Sequence, residues 1–368
     1  MRLDKVIKSI SVANAAVKNT ASPVKIDGWY PAYSASGQDV WLPNYRFDKK
    51  GIVVSAVGAR CGKAFKADGK WNICANTHAL IVDEALADRD YCWYMLNNEN
   101  WWIKGGSAQP FVKVKDSLKR EHNFPPIAKQ KIIVQKLNTV ASLINLRQKE
   151  ITILDNLIKA RFVEMFGNPV INDKGWKQKF LGDTTLKIGS GATPRGGKEA
   201  YQEKGISFIR SMNVHNGRFE YKELAHISDK LAEELNNVTV NKNDVLLNIT
   251  GASVARSCVV PSNVLPARVN QHVCIIRCKE CLIPEFLNEL LINDDSQKML
   301  WIIAGSGATR EAITKQQVEN LQIILPPIEL QNEFVIFSKK IEELKINIKN
   351  VLASIQLLYN KLMHIYFD

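Results

Sequence analysis

The chain has no run of eighteen or more apolar residues, the minimum an α-helix needs to cross a bilayer. Its opening stretch, MRLDKVIKSISVANAA, lacks the apolar centre of a secretory leader, so a cytoplasmic protein with no membrane partner is the expectation. Cysteine is scarce and odd in number, seven in all, which excludes a complete disulfide framework and suits buried free thiols in a reducing compartment. His272, Cys274, Cys278 and Cys281 stand close together, but no second metal knuckle follows, and Cys274 sits in the apolar run VCII, so zinc is not expected. The glycine-rich stretch GATPRGGKE at 191–199 misses the phosphate-loop spacing and has no Ser or Thr to hold magnesium. It reads instead as a basic loop for backbone phosphates. Neither NFPPI at 123–127 nor ILPPI at 324–328 is the contiguous Asn-Pro-Pro-aromatic motif with which amino-methyltransferases hold a flipped base. No nucleophile or carboxylate recurs beside both His78 and His272, which are expected to bond a neighbouring loop, a base or a phosphate. A non-catalytic chain with no cofactor of its own is the consequence.

Acidic residues are also in short supply, 37 against 49 Lys and Arg, for a formal net charge of +12. The excess lies ahead of the closing stretch, residues 325–368, which is neutral. A diffuse positive balance favours a polyanionic partner without identifying it.

What is present is a repeat. Pro125-Pro126-Ile127 recurs as Pro326-Pro327-Ile328 at an offset of 201 residues, and the same offset places Gln130 over Gln331, Val134 over Val335, Leu157 over Leu358 and Phe166 over Phe367. Each copy reads as one long helix, opened by prolines, which cost nothing where no intrahelical N–H bond is made. Gly167-Asn168-Pro169 stops the first. Apolar spacings of 4 and 3, broken only by Arg147, run through Ile133, Leu137, Val140, Ile144, Ile151, Leu154 and Ile158 in the first copy. In the second they run through Phe337, Ile341, Leu344, Ile348, Val351, Ile355, Leu358, Leu362 and Ile365. Such seams predict coiled-coil pairing of the two helices, antiparallel because a whole domain separates them. Ile132, Leu143, Leu146, Leu157 and Phe162 fall off the first stripe and are expected to be buried by partner subunits.

The stretches outside the helices repeat too. VGARCGK at 57–63 aligns with TGASVAR at 250–256, NTHALIV at 76–82 aligns with NQHVCII at 270–276, and Leu181-Gly182-Asp183 answers Leu3-Asp4. The predicted fold is therefore α+β: two similar mixed α/β domains separated by two long antiparallel coiled-coil helices, with an internal pseudo-twofold repeat. The predicted limits are 1–123 and 170–324 for the domains and 124–169 and 325–368 for the helices. Loop residues beside strand ends are the candidate DNA contacts, since Arg and Lys suit guanine or phosphate and Asn and Gln suit adenine. In the first domain these are Tyr30, Tyr33, Arg46, Arg60, Lys63, Asn76 and Gln109. In the second they are Arg195, Lys198, Arg210, Asn213, Asn248 and Thr250, followed by Arg256, Asn270, Gln271 and Arg310.

This order of loop-rich domain, Pro-Pro-led helix, second domain and second Pro-Pro-led helix resembles the DNA-specificity subunit of type I restriction-modification systems. The residues that carry the resemblance are FPPIAKQ, LPPIELQ, LGD at 181–183, and the loops GSAQP at 106–110 and GSGAT at 305–309. The resemblance implies two target-recognition domains, each reading half of a split, asymmetric site in double-stranded DNA. It implies helices that space the domains and dock two methyltransferase subunits, with restriction and translocase subunits in the same complex. S-adenosylmethionine, magnesium and ATP would then bind those partners and not this chain. A coiled-coil scaffold that does not bind DNA is the competing reading.

Overall fold

A computed structural model describes residues 1–11, 20–305 and 311–367. The chain divides into two compact units, one built from residues 1–148 and 350–368 and the other from 149–349.

The first unit contains two four-stranded sheets. One is antiparallel, in the order Ile7–Ser11, Thr77–Val82, Gly51–Ser55, Ala64–Ala67. The other runs Gly37–Leu42, Tyr30–Ser34, Lys70–Ile73, Phe47–Asp48, with its two middle strands parallel. The central strand GIVVS is buried at every position because both of its faces are covered. Alternate side chains serve different cores, since successive residues of a strand point to opposite faces. Ile52 and Val54 pack with Leu3, Met95 and Leu96, whereas Val53 packs with Tyr33, Phe47 and Trp71.

The second unit repeats both sheets. Thr185–Ser190, Val273–Cys278, Val245–Asn248 and Ser257–Val259 form the antiparallel one. Ala225–Ile227, Ile206–Ile209, Ala267–Val269 and Thr239–Val240 form the other, again with a parallel central pair. Val245 and Leu247 face one core and Leu246 the other, as in the first unit. The short 3-10 turns Leu3–Lys5 and Leu181–Thr184 open the two copies. They are held alike, with Leu3 N–H donating to the Arg120 carbonyl and Leu181 N–H to that of Leu321.

The long helices span Ile127–Phe166 and Ile328–Phe367, 40 residues each. Gly167 ends the first at φ 73°, where a Cβ would lie 2.1 Å from Asp173 Oδ1, so any other residue would strain the backbone and displace that carboxylate. In the first unit Ile133, Val134 and Leu137 pack near Tyr359, Leu362 and Tyr366. In the second, Arg161 pairs with Glu333 at 2.8 Å and Asp155 with Lys345 at 2.5 Å. Within each unit, then, the two helices run antiparallel. The predicted first-helix seam is buried or half-buried throughout. In the second helix Phe337, Ile341, Ile348, Ile355 and Leu362 of the predicted seam are buried or half-buried, but Leu344, Val351, Leu358 and Ile365 are exposed and Lys345, Leu352, Tyr359 and Tyr366 turn inward in their place. Two adjacent heptad stripes on this helix are both largely apolar, so spacing could not choose between them. Phe162 also departs from expectation: it is 2% exposed and packs with Phe166, Phe286 and Phe334 inside the chain.

The paired glutamines explain how each helix is fastened to its domain. Gln130 accepts the Asp88 N–H at 2.8 Å and donates to the Pro125 carbonyl at 2.7 Å. Gln331 accepts the Ile283 N–H at 2.9 Å and donates to the carbonyls of Pro326 and Cys281 at 2.9 and 3.1 Å. Asp88 and Ile283 are the N-caps of the domain helices Arg89–Leu96 and Pro284–Ile292, and both glutamines are fully buried.

Candidate nucleic-acid interface

Strand direction gathers the candidate loops at one end of each antiparallel sheet. In the first unit Thr77–Val82 and Ala64–Ala67 begin at the end where Gly51–Ser55 finishes. This rim therefore carries the 57–63 turn with Arg60 and Lys63, together with Asn76. Gln109 joins it, because Gly58 N–H donates to the Pro110 carbonyl. The loop before Pro110 is tight: a Cβ on Gly106 would lie 2.4 Å from the Gln109 carbonyl oxygen. Arg60, Lys63, Asn76 and Gln109 are all exposed, as basic and amide side chains must be to reach a ligand. Arg46 is exposed above the Phe47 ring, just before a strand of the second sheet. Tyr30 opens its strand and so lies at the far end of that sheet, its ring edge-on to Tyr45. Tyr33 belongs to the interior, 9% exposed, with its hydroxyl donating to the Lys66 carbonyl.

The second unit builds the same rim. Ser55 N–H donates to the Lys63 carbonyl and Asn248 N–H to that of Arg256, and Gly62 and Ala255 close the two turns, each at positive φ. The match of 57–63 with 250–256 thus holds bond for bond. The match of NTHALIV with NQHVCII is two residues out of register. Ala56 N–H donates to the Asn76 carbonyl, whereas Ile249 N–H donates to that of His272. Asn76 accordingly stands where His272 stands, and Cys74 where Asn270 stands, since Cys74 N–H bonds the Tyr33 carbonyl as Asn270 N–H bonds that of Ile209. A shift of two keeps every strand side chain on its face, so hydrophobic alternation cannot detect it.

Several second-domain candidates prove to be internal supports. Asn213 is buried, accepts the Arg210 N–H and donates to the Glu220 carbonyl. Asn248 is buried and donates to the Ser211 carbonyl. Asn270 is buried with its Oδ1 accepting the His272 N–H. The Arg210 guanidinium lies over the Tyr201 ring and donates to the Glu223 carbonyl. Arg195 and Lys198 are exposed, Arg256 is half-buried at the start of its strand, and Arg310 lies outside the described residues.

Thr250 and Gln271 belong to a relay across three loops. Thr193 Oγ1 donates to Gln271 Oε1 at 2.6 Å, Gln271 Nε2 lies 3.1 Å from His272 Nε2, and His272 Nδ1 lies 2.5 Å from Thr250 Oγ1. His78 likewise bonds Ser9 Oγ through Nδ1 at 3.0 Å, and burial lowers its pKa from the ordinary imidazole value. Burial also pushes the thiols of Cys274 and Cys278 up to about 12. Sequence reasoning missed the small hairpin of Val214–His215 and Arg218–Phe219, present only in the second unit among the described residues. Its signal was the turn dipeptide Asn216-Gly217.

Residues 23–155 and 173–357 match the model of the type I restriction modification DNA specificity domain. The chain belongs to this family. It is 23% identical over 251 residues to the type I restriction enzyme EcoBI specificity subunit of Escherichia coli, a match covering 60% of this chain and 50% of that protein. It is 23% identical over 236 residues to a putative type I restriction enzyme MjaX specificity subunit of Methanocaldococcus jannaschii, covering 60% and 52%. The chain thus spans about half the length of the curated relatives it matches. The fold is similar to that of a type I restriction-modification S subunit from M. genitalium, with a TM-score of 0.62 at 13% identity over 100% of this chain and 95% of the other. Among the described residues no helix is long and apolar enough to cross a membrane.

Proposed function

We propose that the chain is the non-catalytic DNA-reading subunit of a type I restriction-modification complex, each domain reading one half of a split, asymmetric duplex site. The observation that carries this is the pair of rims: one scaffold built twice, with the same backbone hydrogen bonds in both turns and different exposed side chains on them. A single scaffold with two side-chain sets is what reading two half-sites requires, since base edges are distinguished by donor and acceptor pattern. Arg60, Lys63 and Gln109 in one domain and Arg195, Lys198 and Arg256 in the other supply phosphate or base contacts. S-adenosylmethionine, magnesium and ATP are left to methyltransferase and restriction or translocase partners.

The helices supply the docking surface. In the first unit Ile132, Leu143, Leu146, Val351, Leu357, Leu358 and Ile365 remain exposed, and in the second Ile153, Leu157, Val163, Ile336, Leu344 and Ile346 do. Apolar stripes of this extent on helices already paired with each other favour burial by further subunits, two methyltransferase chains in this reading. The test is a domain exchange. Replacing residues 176–322 by the matching domain of a relative changes one half of the methylated motif and leaves the other intact. A motif altered in both halves refutes independent reading, and a chain with no salt-dependent, sequence-selective binding to duplex DNA is a scaffold instead.

A further inference from the structure

We propose that Gln271 is a base-reading residue of the second domain and that it reads adenine; this rests on the DNA-reading role proposed above. Its amide is held at both ends. Thr193 Oγ1 donates to its oxygen and its nitrogen faces His272 Nε2. For Gln271 to donate, His272 Nε2 must be the bare nitrogen, which puts the ring proton on Nδ1, where Thr250 Oγ1 receives it. The relay thereby clamps the amide at both ends, and the reversed amide with the other imidazole tautomer would satisfy the same bonds. A primary amide carries two N–H donors and two acceptor lone pairs. One of each is used, and one of each is left on an exposed side chain.

A free acceptor beside a free donor is the complement of the adenine major-groove edge, which offers N6–H and N7. Guanine presents two acceptors there and would set O6 against the amide oxygen. The backbone is built to hold this arrangement. A Cβ on Gly191 would fall 2.0 Å from the Val269 carbonyl oxygen, so only glycine lets the Thr193 loop lie against the strand that leads to Gln271. Asn270 Oδ1 accepts the His272 N–H and sets the turn between them. Among the described residues of the first unit no such relay recurs, since the hydrogen-bond register puts Val57 in place of Thr250, Ala75 in place of Gln271 and Asn76 in place of His272. The relay is therefore not needed by the scaffold.

The experiment selects bound sequences from a randomised duplex DNA library, using the full chain reconstituted with its methyltransferase subunit, for wild type and for Gln271→Ala, Gln271→Glu and Thr193→Val. The wild-type motif is expected to contain an adenine in the half read by the second domain. Gln271→Ala should flatten that one position and weaken binding to the wild-type duplex by on the order of 10- to 100-fold, with the other half and the salt dependence unchanged. Gln271→Glu should move the preference toward cytosine, whose N4 amino group a carboxylate accepts, and Thr193→Val should weaken the same position. If Gln271→Ala lowers the melting temperature, the Glu and Val variants carry the test. An unchanged motif, or a uniform loss on all duplexes with a shallower salt dependence, overturns the assignment while leaving the reading of the chain intact. A wild-type chain that selects no sequence overturns both.

Discussion

Replacing Gln130 or Gln331 by leucine tests how the helices are fastened to the domains. Leucine fills most of the volume but leaves the Asp88 N–H and the Pro125 carbonyl unpaired in the first unit. In the second it strands the Ile283 N–H and the carbonyls of Pro326 and Cys281. Each buried polar group left without a partner costs about 1–3 kcal/mol. Gln130→Leu should therefore lose about 2–6 kcal/mol, and Gln331→Leu more, because it strands three groups. Urea denaturation followed by tryptophan fluorescence gives the global loss, and hydrogen exchange gives the local one. In Gln130→Leu the Asp88 amide should exchange faster while the Ile283 amide keeps its wild-type protection, with the reverse pattern in Gln331→Leu. A loss under about 0.5 kcal/mol with both amides still protected would refute the reasoning, since the glutamines would then be replaceable filler.

Glu289 lines a cavity of about 820 Å³ in the second unit, and burial, reinforced by Glu342, raises its carboxyl from an ordinary 4.5 to about 7. The folded state thus holds this proton more tightly than the unfolded chain does. The stabilisation is fully present below pH 4.5 and is lost as pH rises through 7, about 3 kcal/mol in all. Glu289→Gln should be the more stable protein at pH 8 and should flatten the pH dependence between these values; parallel stability profiles for the two proteins would rule this out. On the exposed stripe, Leu358→Glu and Val351→Glu should leave the melting temperature within about 1 °C, because neither side chain is part of the packed seam, yet reduce co-sedimentation with the methyltransferase subunit at least about tenfold. Undiminished assembly would place docking elsewhere.

The sequence by itself determined the two long helices and the duplication. Prolines and glycine punctuate the backbone locally, and the 201-residue offset that pairs Ile127 with Ile328 also pairs Phe166 with Phe367, the residues at which the helices begin and end. The turn at 57–63 was legible in its copy at 250–256 because positive φ and its hydrogen bonds restrict local sequence. Tertiary structure decided whatever depended on phase or partner. The strand register of Asn76 against His272 was invisible to a period of two. The inward stripe of the second helix goes through Lys345, a charged residue 7% exposed, because Asp155 and Glu342 each meet its ammonium at 2.5 Å and satisfy it where leucine had seemed the natural occupant. Among the candidate contacts, Tyr33, Asn213, Asn248 and Asn270 have the donors and acceptors of DNA readers. Composition cannot tell a side chain that offers those groups to a ligand from one that is buried and bonded to its own backbone. Only the fold, by setting which loops meet, turned Thr193, Gln271, His272 and Thr250 from four separate polar residues into one oriented surface.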